Sequence, residues 1–126
     1  MNMANPNIVA VNTIYGNTTV FALTTTLTNV LLANATSSGK VYKVESIMVA
    51  NITSAATNVT IQIHTAANGT AGTSYAFANV ISVPSSATLS VIDKSNTFYL
   101  MENQSIIGGA GANSSLQVVI AYEDIS

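Results

Sequence analysis

Apolar and polar residues alternate strictly through Val59–Thr65. Val59, Ile61 and Ile63 share one parity; Thr60, Gln62 and His64 share the other. A period of two belongs to a half-buried β-strand, because successive side chains leave opposite faces of the pleat. The pattern returns at Leu116–Tyr122, where Leu116, Val118, Ile120 and Tyr122 are in phase. No stretch shows the spacing of three and four that an amphipathic helix needs. Further strands are expected at Ile8–Ile14, Thr18–Leu27, Val41–Ala50, Phe77–Val83, Ala87–Ile92 and Thr97–Leu100, with a short one at Ser105–Ile107. The β-branched run Thr24-Thr25-Thr26 favours strand over helix.

Turn chemistry separates these segments: Ser37-Ser38-Gly39, Asn51–Asn58, Asn68–Ser74, Pro84-Ser85-Ser86, Asp93–Asn96 and Gly108–Ser115. About eight short strands so spaced predict an all-β fold. The expected architecture is a single-domain antiparallel β-sandwich, jelly-roll or immunoglobulin-like. Residues 1–7 (MNMANPN) read as an extended arm and residues 8–126 as the sandwich. The N-terminus has neither the basic nor the apolar region of a signal peptide, so none is expected. No apolar run approaches the roughly 20 residues that span a bilayer, so no membrane partner is expected.

The stretch Val41–Ala50 breaks the pattern. Simple alternation puts Tyr42, Val44, Met48 and Ala50 on one side. The other side starts with Lys43 and Glu45 and then turns apolar at Ile47 and Val49. A surface that becomes apolar partway along a strand is expected to be covered by a neighbour, so Ile47 and Val49 become candidate contact residues.

The chain is polar without being ionic. Of 126 residues, three are Lys, none is Arg and five are Asp or Glu, whereas 44 are Ser, Thr or Asn. Charged residues make up 6%, against about 25% in ordinary soluble proteins. Phosphate-backbone binding is excluded as a main activity, because it requires several cations. No nucleic-acid partner is therefore expected. With no cysteine, disulfides and thiolate metal sites are excluded.

Catalytic chemistry finds little support. His64 is the sole histidine and lies on the polar parity of its strand, where a solvent-facing or interface position is expected. No Gly-x-Ser-x-Gly elbow surrounds any serine. The acids are Glu45, Asp93, Glu102, Glu123 and Asp124, and a glycosidase would need two of them to converge. Asp93-Lys94-Ser95-Asn96 reads as a turn instead. Glu123-Asp124 lacks the spacing of a calcium loop. Gly108-Gly109-Ala110-Gly111 lacks the Lys-Ser/Thr sequel of a phosphate loop and reads as a flexible β–β connection. Seven Asn-x-Ser/Thr sequons, at Asn17, Asn34, Asn51, Asn58, Asn68, Asn103 and Asn113, are read as products of composition rather than glycan acceptors. The expectation is a protein without catalytic, metal or cofactor residues.

Several segments carry a resemblance. They are Met3-Ala4-Asn5-Pro6-Asn7-Ile8-Val9, Thr13-Ile14-Tyr15-Gly16, Ser37-Ser38-Gly39-Lys40-Val41-Tyr42-Lys43-Val44 and Val49-Ala50-Asn51. They continue in Val83-Pro84, Val91-Ile92-Asp93-Lys94, Tyr99-Leu100-Met101-Glu102-Asn103-Gln104-Ser105-Ile106 and the ending Ala121-Tyr122-Glu123-Asp124-Ile125-Ser126. Together they resemble small β-rich virion structural proteins of tailed bacteriophages, especially those infecting cyanobacteria. The resemblance spans nearly the whole chain, on fold and turn motifs.

The resemblance implies a capsid decoration (cement) protein, made in the bacterial host cytoplasm and placed on the outer capsid surface of the virion. Its partners would be the major capsid protein and further copies of itself, as a homo-oligomer (trimer or dimer). Candidate contact residues are Asn2, Met3, Asn5, Pro6 and Asn7 in the arm, Ile47 and Val49 on the strand, and Asn68, Thr70 and Tyr75 in and beside the loop Ala66–Ser74. The alternative is a tail, neck or fibre protein binding host surface glycans through Asn68–Tyr75.

Overall fold

The computed structural model describes residues 12–68 and 71–126. The arm candidates Asn2, Met3, Asn5, Pro6 and Asn7, and Thr70 of the loop, lie outside the described residues. Nine strands form: β1 (Ile14–Ala22), β2 (Asn29–Asn34), β3 (Val41–Asn51), β4 (Thr57–His64), β5 (Ser74–Val83), β6 (Thr88–Ile92), β7 (Phe98–Leu100), β8 (Gln104–Ala110) and β9 (Leu116–Ile125). All ladders are antiparallel.

The pairing runs from the outside of the chain inward. β1 pairs with β9, β2 with β8, β3 with β6 and β7, and β4 with β5. This is one long antiparallel ribbon, bent at the β4–β5 connection and rolled so that its two halves face each other. One sheet has the order β1-β9-β3-β6, with β7 also on β3; the other has the order β2-β8-β4-β5. β6 and β7 lie end to end along the same edge of β3, as one strand interrupted by the Asp93–Asn96 turn. That turn forms as expected, with Asp93 Oδ1 accepting from Ser95 N–H at 2.9 Å and Ser95 Oγ at 2.6 Å. Of the two expected sandwich types, this strand order is the jelly roll.

Between the sheets lies an aliphatic core that includes Leu23, Val44, Ile47, Val49, Ile61, Leu100, Ile106, Leu116 and Ile120, each fully buried. Phe77 of one sheet and Phe98 of the other meet at 4.7 Å between ring centroids. Within this core the alternation of the sequence marks Val44, Val59, Ile61, Leu116, Val118 and Ile120.

Ile47 and Val49 are the main correction. Both are 0% exposed and belong to the inter-sheet core, not to an outer patch. The cause is a register shift between Val44 and Ser46 in the β3–β9 ladder. Val44 faces Tyr122 and Ser46 faces Ala121, so Glu45 is an extra residue with no partner of its own. An inserted residue of this kind is a β-bulge, and it reverses the parity of everything beyond it. Before it, Tyr42 and Val44 point inward; after it, Ile47, Val49 and Asn51 do. Met48 turns outward and is 40% exposed.

Two further expectations change. The strand expected at Thr18–Leu27 stops at Ala22, and β2, absent from the expectation, takes up the chain at Asn29. Gly108 and Gly109 are not a flexible loop; they are buried residues of β8. A Cβ on Gly108 would come within 2.7 Å of the Thr60 carbonyl oxygen, and one on Gly109 within 3.0 Å of the Thr26 carbonyl oxygen. The strand expected at Ile8–Ile14 is represented among the described residues only by Ile14, the first residue of β1.

Two sequon asparagines are internal staples. Asn34 is fully buried; its Nδ2 donates to the carbonyls of Lys40 (2.9 Å) and Leu100 (3.0 Å), and its Oδ1 accepts from Ser38 Oγ. Asn51 does the same at the far end of β3, donating to Ala55 (2.8 Å) and Val83 (3.0 Å) and accepting from Thr53. Each ties a strand end to an element of another ladder, and neither amide is available to a glycan.

Two outcomes follow for urea denaturation. Ile47→Ala should cost about 2–5 kcal/mol, while Met48→Ala should stay within about 0.5 kcal/mol; the reverse ranking would refute the bulge. Asn34→Ala should cost about 1–3 kcal/mol for each buried carbonyl left without a donor.

Candidate functional site

The side chains able to do chemistry are dispersed. Among the described residues no group of three or more His, Cys, Asp or Glu gathers. Asp93 is engaged by its own turn, and the bonds from Ser95 hold its carboxyl below the usual range. Glu102, in the β7–β8 turn, is buried, and its Oε2 accepts the Gly39 N–H at 3.0 Å. Glu123 stands in register between Gly16 of β1 and Lys43 of β3. Three different surroundings thus hold the three acids that a hydrolase would need to share a cleft.

His64 is buried, contrary to expectation, with 4% of its surface exposed. Its parity does point away from the core, but the chain after β4 bends back over this end. Ser105 Oγ donates to the Ala66 carbonyl at 2.7 Å, and Thr65 N–H to Thr73 O at 3.0 Å. The imidazole Nδ1 shares a hydrogen bond of 2.7 Å with Ser74 Oγ, and Nε2 is enclosed without a partner among the described residues. A ring so enclosed is not presented to a ligand in solution.

The strongest electrostatic arrangement is at the end of the sandwich where Thr13 and Ser126 pair. Lys40 Nζ lies 3.1 Å from Asp124 Oδ2, and Asp124 Oδ1 is buried without a donor among the described residues. In register, Asp124 has Tyr15 on one side and Tyr42 on the other. The rings of Tyr42 and Tyr122 meet tilted by 45°, with centroids 5.0 Å apart. Burial, then the negative charge of Asp124, pushes both phenols above their ordinary value. The bond from Asp124, then its charge, raises the Lys40 ammonium.

The remaining candidate is a surface rather than a pocket. After the bulge the outer face of the β1-β9-β3-β6 sheet carries Val20, Val119 and Met48 in one row across three strands. Val20 is 70% exposed. Ala22, Ala50, Ala121, Thr18, Ser46 and Ser90 occupy neighbouring outward positions. Among the described residues charge enters this face at Lys43, Glu45 and Glu123, toward the other end, where Lys43 and Glu45 approach to 3.7 Å. A depression of about 380 Å³ lies over Val20, Phe21, Ala22, Gln117, Val118 and Val119. The apolar outer patch expected on β3 therefore exists, but it is built from Met48 with Val20 and Val119, not from Ile47 and Val49. Tyr75 and Asn68 are exposed on the opposite sheet and its following segment, away from this row.

A second hollow, of about 250 Å³, is formed by Thr25, Leu27, Asn58, Thr60, Val80 and Gly109–Gly111. Thr60 Oγ1 accepts the Val80 N–H at 3.1 Å. Val80 has φ of 52°, a conformation that strains a β-branched residue. Sequence reasoning missed this hollow because its walls come from segments that only the rolled topology brings together.

No family model matches the chain. No curated protein matches it either.

A spectrophotometric pH titration tests the tyrosine end. Tyr42 and Tyr122 should ionise above the ordinary phenol value of about 10. Asp124→Asn should lower both, but incompletely, because burial is the larger cause. The stability owed to the neutral phenols is fully present below the unfolded-state value and is lost as the pH rises through the folded-state values.

Proposed function

We propose that this chain is a virion structural protein of a tailed bacteriophage, a capsid decoration (cement) protein that binds the outer surface of the capsid lattice, stabilises it and performs no catalysis. Its partners in this reading are the major capsid protein and further copies of itself. The observation that carries the proposal is the outer face of the β1-β9-β3-β6 sheet, where exposed Val20 and Met48 flank half-buried Val119 among small uncharged side chains. A monomer with no partner has no use for such a face, whereas a protein that packs on a lattice does. Few charges stand on it, so contact there is weakly dependent on salt. Repetition of a modest contact over a symmetric shell gives firm attachment. The resemblance of the sequence to small virion proteins points the same way. The fold itself is neutral on this question, because jelly rolls serve both capsids and lectins.

A second reading is a tail, neck or fibre protein that binds host surface glycans. It is favoured by the hollow between Leu27 and Val80, with Asn58 and Thr60 on its wall, where apolar and neutral hydrogen-bonding groups meet.

Particles prepared without the protein should lose integrity on heating or osmotic shock sooner than complete particles. Adding back the wild-type chain should restore them, and a Val20→Asp, Met48→Asp chain should not. Unchanged particle stability, together with glycan-array binding abolished by Asn58→Ala, would replace the first reading with the second.

A further inference from the structure

The free edge of β1 is unlike every other edge in the sandwich. Among the described residues β1 pairs with β9 alone, so one side of it is open. Natural sheets guard open edges with charged residues, proline, bulges or short length. The other edges here follow that rule. β2 carries a register shift at Val30/Leu32, and β5 carries two, with Val80 at positive φ. β6 has five residues and a register shift, and β7 has three residues. β1 has none of these guards. It runs nine residues, Ile-Tyr-Gly-Asn-Thr-Thr-Val-Phe-Ala, with no charge, no proline and an unbroken register along β9.

The hydrogen bonds fix which groups are open. Thr13 and Ser126 exchange both backbone bonds, at 3.1 and 3.0 Å, and Leu23 N–H donates to Leu116 O at 2.9 Å. Odd-numbered residues of β1 therefore face β9. In an antiparallel ladder the alternate residues face the other way. Ile14, Gly16, Thr18, Val20 and Ala22 thus direct their N–H and C=O groups to the open edge.

We propose that this edge pairs with β1 of a second copy of the chain, antiparallel about a two-fold axis through Thr18, so that the two sheets become one continuous sheet. This register uses all five outward residues of each copy, pairing Thr18 with Thr18, Gly16 with Val20 and Ile14 with Ala22. Shifting it in either direction leaves outward groups unpaired. The side chains agree with it. Threonine opposite threonine is a favourable cross-strand pair. Val20, the most exposed apolar residue, meets Gly16, which has no side chain to oppose it. On the inner parity Tyr15, 61% exposed, comes opposite Phe21, which is packed on the core. The strand has no charge, so the two-fold brings no like charges together. A charged foreign strand would find no counter-charge along it. Such an isologous contact closes on itself as a dimer. The inference specifies the self-association within the proposed function, but it rests on the strand edge alone and stands or falls independently of capsid attachment.

Light scattering after size exclusion, over a concentration series, should give twice the 13.0 kDa chain mass. Thr18→Lys, which places two ammonium groups at the axis, should return the mass to 13.0 kDa with an unchanged circular dichroism spectrum. The chain has no cysteine of its own, so Thr18→Cys gives an unambiguous second reading. Cα atoms of directly opposed antiparallel residues lie about 4.5–5.5 Å apart, within disulfide range. Mild oxidation should therefore link Thr18→Cys copies and leave Ser82→Cys, on the bulged β5 edge, unlinked. A mass of 13.0 kDa at every concentration with no Thr18→Cys link would overturn the proposal. So would an oligomer that survives Thr18→Lys, or equal cross-linking at Ser82→Cys. Should Thr18→Lys fail to fold, the cysteine pair decides alone.

Discussion

The architecture depends on one unpaired residue. β3 is the hub of its sheet, with β9 on one side and β6 and β7 on the other. Glu45 divides it into two halves of opposite parity. Without that insertion, either Tyr42 and Val44 or Ile47 and Val49 would face water, and the sheet could not bury both halves against its partner. The bulge lets a strand of 11 residues keep apolar side chains inward from Tyr42 to Val49. It also places Met48 on the outer surface in line with Val20 and Val119. The interior and the candidate contact face therefore have the same origin.

Hydrogen bonding to backbone carries the tasks that ion pairs carry elsewhere. Asn34 and Asn51 each satisfy two carbonyls at a strand end, and Asn103 Oδ1 accepts from Thr36 Oγ1 and Ala67 N–H. Asn113 Oδ1 caps the Thr25 N–H. A compact amide reaches such groups without the desolvation cost of a buried charge. The abundance of Ser, Thr and Asn thus serves more than hydration: part of it stitches connections to strands. The chief ion pair, Lys40 with Asp124, is confined to one end of the sandwich, where it stands beside two half-buried phenols.

The sequence made the fold class legible because period-two patterning survives in β4 and β9, whose inward residues fill the core without interruption. It failed where local pattern and global register part. At Glu45 nothing marks an inserted residue, since a bulge depends on the partner strand. At Thr24-Thr25-Thr26 strand propensity was overruled, and the chain turned before Asn29. β2 was missed because Asn29 and Asn34 flank a short apolar run with no alternation. His64 carried the right parity, but its burial depends on a connection that bends back over the sheet. The contact face suffered the same limit. Val20, Met48 and Val119 are distant in sequence and become neighbours only through β1-β9-β3 pairing.

The outside-in ladder also governs the order in which the fold can be made. Among the described residues the only ladder partner of β1 is β9, which lies far along the sequence at Leu116–Ile125. Of the nine strands β1 is synthesised first, and it stays without this partner until the ninth has been made. The hairpin β4–β5 is the innermost pairing and closes the shortest loop. Assembly by successive zippering outward therefore ends with β1, and the dominance of long-range pairing makes that a slow process. During that interval the newborn chain exposes the same uncharged strand that later forms the edge of the sheet. A nascent-chain chaperone that engages emerging strands would meet β1 before any other strand of the sandwich exists.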